Sequence, residues 1–95
     1  MKSSAQIKMN FAKAREDAAR VDQIAATMRN LSRGKLESSM NNLSGTWTGN
    51  NSRQFLKKER QLQTDIEQTV RSLNDIADDI RRVAQRVYEA EMRAY

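Results

Sequence analysis

Cysteine is absent from these 95 residues, so neither disulfides nor thiolate-held metals can brace the chain. Histidine is absent too, which removes the commonest general base and the commonest metal ligand. There is no proline and there are only three glycines, so little interrupts a helix. Aromatic residues are scarce at 5%. No segment approaches the roughly 18 consecutive apolar residues of a membrane span. The opening MKSSAQIKMNF has one early lysine but no apolar run of the length that a cleaved signal peptide needs. The expectation is a chain that is soluble when made and, if it leaves the cell, does not use a Sec-type cleaved signal.

What is present is 31% charged and 38% apolar residues. That mixture favours elongated helices burying one stripe each over a compact sphere. The formal charge is +5, and most of it lies early. Residues 1–44 carry eight Lys/Arg against four Asp/Glu, and residues 50–95 carry nine against eight. A basic bias raises the prospect of nucleic acid or an anionic surface as a partner.

Two apolar seams organise the chain. Ile7, Phe11, Ala14, Ala18, Val21, Ala25 and Met28 follow one another at spacings of four and three, the heptad pattern of a helix packed on a helix. Ile24 and Leu31 widen this stripe. It then slips, and Leu36, Met40 and Leu43 resume it in a shifted register with Gly34 in the slip. An interior glycine costs about 1 kcal/mol relative to alanine, so either a bend, a close approach or a tolerated surface position fits there. The second seam is Phe55, Leu62, Ile66, Val70, Leu73, Ile76, Ile80, Val83, Val87, Ala90 and Ala94. Of these, Ile66, Val70, Leu73, Ile76, Ile80 and Val83 are the expected core and dimer contact. Between them lie solvated polar residues, where Asp78 stands three and four positions before Arg81 and Arg82, and Asp79 three before Arg82.

Only SGTWTGNN, residues 44–51, interrupts the two seams. Gly45 and Gly49 are suited to positive φ and to ending the first helix, and Asn50, Asn51 and Ser52 are candidate N-caps for the second. The fold class is therefore all-α, an antiparallel helical hairpin in a single domain, 1–95. One helix spans about 4–43, the turn about 44–51 and the other helix about 52–94. Two helices make a thin core, and bundles of this kind usually need three or four. A second hairpin would complete it as a four-helix-bundle dimer.

Trp47, the one tryptophan, stands in the bend four residues after Leu43. Its ring is placed to plug the end of the bundle against Phe55, or to stay partly exposed as an anchor for a partner, or both. Trp47-Thr48-Gly49, in the middle of a chain of about this length, resembles the WXG signature of the small secreted proteins of type VII (Esx) secretion systems. Phe55 matches an aromatic that commonly follows that signature. The resemblance covers the whole chain. It implies a hairpin that pairs into homo- or heterodimers, export in the folded state without a cleaved signal, and a composite export signal. In that signal Trp47, Gly49 and Phe55 of one subunit lie beside the C-terminal helix end of the other, where a secretion ATPase reads them. The implied partner is an identical chain, a paralogous WXG-type chain or the helical N-terminal domain of a secreted toxin. Many members carry Tyr-x-x-x-Asp/Glu near the C-terminus. Here Tyr88 is followed four residues later by Met92, Glu91 comes one position early, and Val87 with Glu91 gives only apolar-then-acid spacing.

Two other classes compete. A basic helical nucleic-acid-binding protein fits the charge, but there is no helix-turn-helix pattern and no aromatic platform interleaved with the basic residues. An enzyme is not expected. Ser38 and Ser39 have no histidine to activate them, and Asp75, Asp78 and Asp79 lack metal-loop spacing. No cofactor or metal is expected.

Overall fold

A computed structural model describes residues 2–46 and 49–95, and these are helical almost throughout. Helix α1 spans Ser4–Leu31, a π-helical turn spans Ser32–Leu36, α2 spans Glu37–Thr46, and α3 spans Asn50–Ala94. The architecture is the all-α hairpin expected from the two seams.

The start of α1 is a reciprocal cap. The Gln6 backbone N–H donates to Ser3 Oγ at 3.1 Å, and the Ser3 N–H donates to Gln6 Oε1 at 3.0 Å. Two otherwise orphaned donors are thereby satisfied.

The slip around Gly34 is the π-helical turn. Met28, Ser32, Leu36 and Met40 follow each other at three successive spacings of four, where the heptad would have given four, three, four. In a regular helix the extra residue would carry every later side chain about 100° out of line. A π turn bonds i to i+5 and so takes one more residue per turn. Ser32 and Met40 stay buried on either side of it. Such a turn also displaces a backbone carbonyl from the regular ladder. The Ser32 carbonyl accepts a bond from Gln63 Nε2 of α3 at 3.1 Å. Gly34 does not have positive φ, and a Cβ on it would meet nothing within 4 Å, so its role is neither a positive-φ bend nor a close approach.

The bend departs from expectation in detail. Gly45 does not end a helix; it lies inside α2, which runs on to Thr46, and in this last turn the Ser44 and Thr46 hydroxyls donate to the carbonyls of Asn41 and Asn42. Gly49 alone has positive φ, at 104°. Helix α3 already begins at Asn50. Ser52, a candidate cap, is inside the helix instead: its buried hydroxyl donates to the Gly49 carbonyl at 2.9 Å.

The chain divides into two compact units. The terminal unit joins the N-terminal residues up to Ile24 with Leu73–Tyr95. There α1 and α3 meet through Ile7, Ala18 and Ala77, all buried. Phe11 stacks on Tyr88 with ring centroids 4.7 Å apart, and Arg81 Nη2 reaches Asp22 at 2.5 Å. Lys2 Nζ donates to Glu91 Oε1 at 3.0 Å. The turn unit, Ala25–Ser72, buries Ala25, Ser32, Met40, Leu56 and Val70.

Candidate interaction faces and the bend

Helix α3 carries two stripes, and large apolar residues mark mainly the outer one. The contact with the other arm of the hairpin runs through Leu56, Gln63, Val70, Ala77 and Ala84, at intervals of seven. Val70 and Ala77 are almost fully buried. Small residues on both sides of a helix contact let the axes approach closely. Ala77 and Ala84 add little to an apolar count, although they stand seven and fourteen residues after Val70. Beside this contact Phe55, Leu62, Ile76 and Val83 also recur in multiples of seven and remain exposed in the single chain. Ile66, Leu73 and Ile80 stand between the two stripes and are half-buried. Of the six expected core residues, then, Val70 is buried within the chain, three are half-buried, and Ile76 and Val83 are 48% and 50% exposed.

In the terminal unit the outer stripe opens into a groove of about 510 Å³. Its walls include Ile7, Phe11, Ala14, Ile80, Val83 and Val87. A pocket of this size and lining takes apolar side chains. The charges near it are settled. Arg81 pairs with Asp22 and with Asp78, and Arg82 pairs with Asp79. The hydrogen bond that Arg81 donates to Asp22, against some desolvation, raises the Arg81 pKa above its usual value. The guanidinium therefore stays charged below that range and loses its proton only in strong alkali, so Arg81 itself adds no pH dependence near neutrality.

The C-terminal candidates divide. Val87 is exposed beside the groove, Tyr88 is half-buried under Phe11, and Glu91 is held by Lys2. At the bend, Phe55 is 45% exposed and Gly49 is exposed. Trp47 lies outside the described residues, so its readings as plug and as anchor stay with the sequence. Among the described residues no group of three Asp, Glu, His or Cys could hold a metal ion, and no helix is long and apolar enough to cross a membrane.

A family model described as proteins of 100 residues with WXG matches residues 6–92. The chain belongs to the WXG100 family. No curated protein and no solved structure matches it. WXG100 proteins are a small secreted-protein family associated with type VII secretion, are not known as enzymes, and typically pair with partners in that system. The exposed outer stripe is what a chain that pairs requires.

The stripe gives a stability prediction for this WXG100 chain. In the assembled state Leu73→Ala is expected to cost about 2–5 kcal/mol, the range for deleting a buried leucine side chain. Chemical denaturation of the complex measures it. A loss below about 1 kcal/mol would put Leu73 on a surface or a poorly packed edge.

Proposed function

We propose that this chain is a non-enzymatic component of a type VII secretion system, exported folded and paired with a second helical hairpin, without a cleaved signal, after assembling in the cytoplasm. The observation that carries the reading is the outer apolar stripe: Ile76 and Val83 are about half exposed, at a spacing that returns them to one face of α3. Contiguous apolar surface of this kind marks an interaction site in a soluble chain. The second hairpin is an identical chain, a paralogous WXG-type chain or the helical N-terminal domain of a co-exported toxin. Trp47, Gly49 and Phe55 form the part of the export signal contributed by the bend, to be read by the secretion ATPase. Val87, Tyr88 and Glu91 are the C-terminal candidates. Tyr88 and Glu91 already make contacts within the chain, so Val87, about half exposed, is the most open of the three to a reader.

Gly49→Ala separates folding from recognition. A methyl group there would meet nothing within 4 Å, so the change acts through φ alone. A non-glycine residue in that region costs about 1–2 kcal/mol locally. Trp47→Phe is its companion, since phenylalanine keeps much of the apolar area and loses the indole N–H. At least one of the two is expected to lower the secreted fraction strongly while helicity and assembled mass persist. The comparison is culture supernatant against cell lysate, with circular dichroism and sedimentation of the purified variants. Normal export of both folded variants would reduce the WXG bend to a structural turn.

A further inference from the structure

The positive charge of this protein is concentrated in one unit. The turn unit holds eight Lys/Arg against four Asp/Glu, a net +4, whereas the terminal residues hold nine against eight, a net +1. The pairing differs as well. In the terminal unit Arg20, Arg81 and Arg82 are each in an ion pair with aspartate. In the turn unit Arg29, Arg33 and Arg71 frame a cleft of about 240 Å³ with Glu67 and Val70. Glu67 is the one acid there, 3.8 Å from Arg33 Nε. Neither Arg29 nor Arg71 is in an ion pair among the described residues. One carboxylate, paired with Arg33 alone, thus stands among three guanidiniums.

Helical phase puts this cleft away from the apolar stripe. Arg29 precedes the exposed Leu31 by two residues, about 160° around α1, and Arg71 follows the exposed Leu62 by nine, about 180° around α3. A chain packed on Leu31 and Leu62 would leave the arginines open.

We propose that the cleft is a second docking site, which takes a glutamate or aspartate side chain of a protein partner distinct from the one on the apolar stripe. Guanidinium groups bind carboxylates through paired, parallel N–H···O bonds that lysine cannot reproduce, and all three cations are arginine. The volume is below that of pockets for drug-sized ligands and suits one side chain. Buried Val70 at its edge gives the aliphatic stem of a glutamate an apolar contact. Nucleic acid fits less well. No aromatic ring lines the cleft for a base to stack on, and Glu67 would stand against a run of phosphates.

The test uses the full chain in its native assembly state. The probes are a 20-residue alanine-rich peptide with glutamates four residues apart, a 20-nucleotide single-stranded DNA, and inorganic phosphate. The peptide is expected to shift the Nε–H NMR signals of Arg29, Arg33 and Arg71. Calorimetry is expected to show affinity falling at least tenfold in Arg29→Gln with Arg71→Gln. Glu67→Gln removes the competing carboxylate and is expected to tighten binding several-fold, which keeps the idea testable if the double variant folds poorly. Unchanged affinity in both variants would overturn the site. DNA binding tighter than the peptide through the same arginines would make it a nucleic-acid contact, and phosphate shifting the signals as well as the peptide would make it a general anion site. Either result would overturn the proposed partner. None of these outcomes depends on whether the chain is exported.

Discussion

Ile76→Glu combined with Val83→Glu is expected to abolish pairing of this chain while leaving its helices formed. Both side chains are about half exposed in the single hairpin, so the carboxylates meet water there and cost little. In the proposed assembly they would be covered by a second hairpin. An ionised carboxylate buried without a partner costs several kcal/mol, and the apolar burial of about 1.5–3 kcal/mol per replaced side chain is lost as well. At about 1.4 kcal/mol per tenfold, the dissociation constant should rise at least a thousandfold. Sedimentation at micromolar concentration should then give the mass of one chain, and the thermal midpoint should fall because each hairpin has only its thin internal contact left. Gln85→Glu is the control: it adds one carboxylate, half the charge of the double variant, two residues from Val83 and about 160° around α3, and should leave the mass unchanged. Unchanged assembly in the double variant would move the interface to another face.

Deleting Gly34 is expected to be tolerated, and deleting Thr69 is expected to prevent folding. Both residues are exposed. Without Gly34 the π turn closes into ordinary helix, and Met28, Ser32, Leu36, Met40 and Leu43 fall back into spacings of four, three, four and three. One helical glycine, worth about 1 kcal/mol against alanine, is also removed. Against this stands the bond from Gln63 to the Ser32 carbonyl, whose net worth is about 1 kcal/mol. Stability should therefore change by no more than about 1 kcal/mol. Helix α3 has no π turn to absorb a loss, so removing Thr69 rotates one part of its inner face by about 100° relative to the other. Val70 or Leu56 would then leave the contact. Thermal melts followed by circular dichroism compare the two deletions. A cooperative melt without Thr69, or collapse without Gly34, would show that register is not what the turn controls.

The two long helices and the bend between them were legible because heptad spacing is a local property of the sequence. The slip at Gly34 was legible as a discontinuity, but its form was not. Spacings of four, four and four fit a bend, a surface irregularity or a wide turn, and only the backbone decides among them. Gly45 misled because two glycines flanking a tryptophan look like equal candidates for positive φ, whereas only Gly49 takes it. The hairpin contact was partly missed because Ala77 buries completely while contributing little to an apolar count, whereas Ala18 and Ala25, equally buried, stood out by their place in the first seam. The pairs Phe11–Tyr88, Asp22–Arg81 and Lys2–Glu91 depend on which residue of one helix faces which of the other. That register belongs to the packed pair and is written in neither helix alone. Asp78–Arg81 and Asp79–Arg82, three residues apart on one helix, needed no such knowledge.

The bond between Lys2 and Glu91 brings the first turn of the chain against its last. A fusion tag on either end therefore emerges at the same place. A bulky domain added before Lys2 crowds Val87, Tyr88 and Glu91 as surely as one added after Tyr95, so an N-terminal reporter is no safer for reading out export than a C-terminal one.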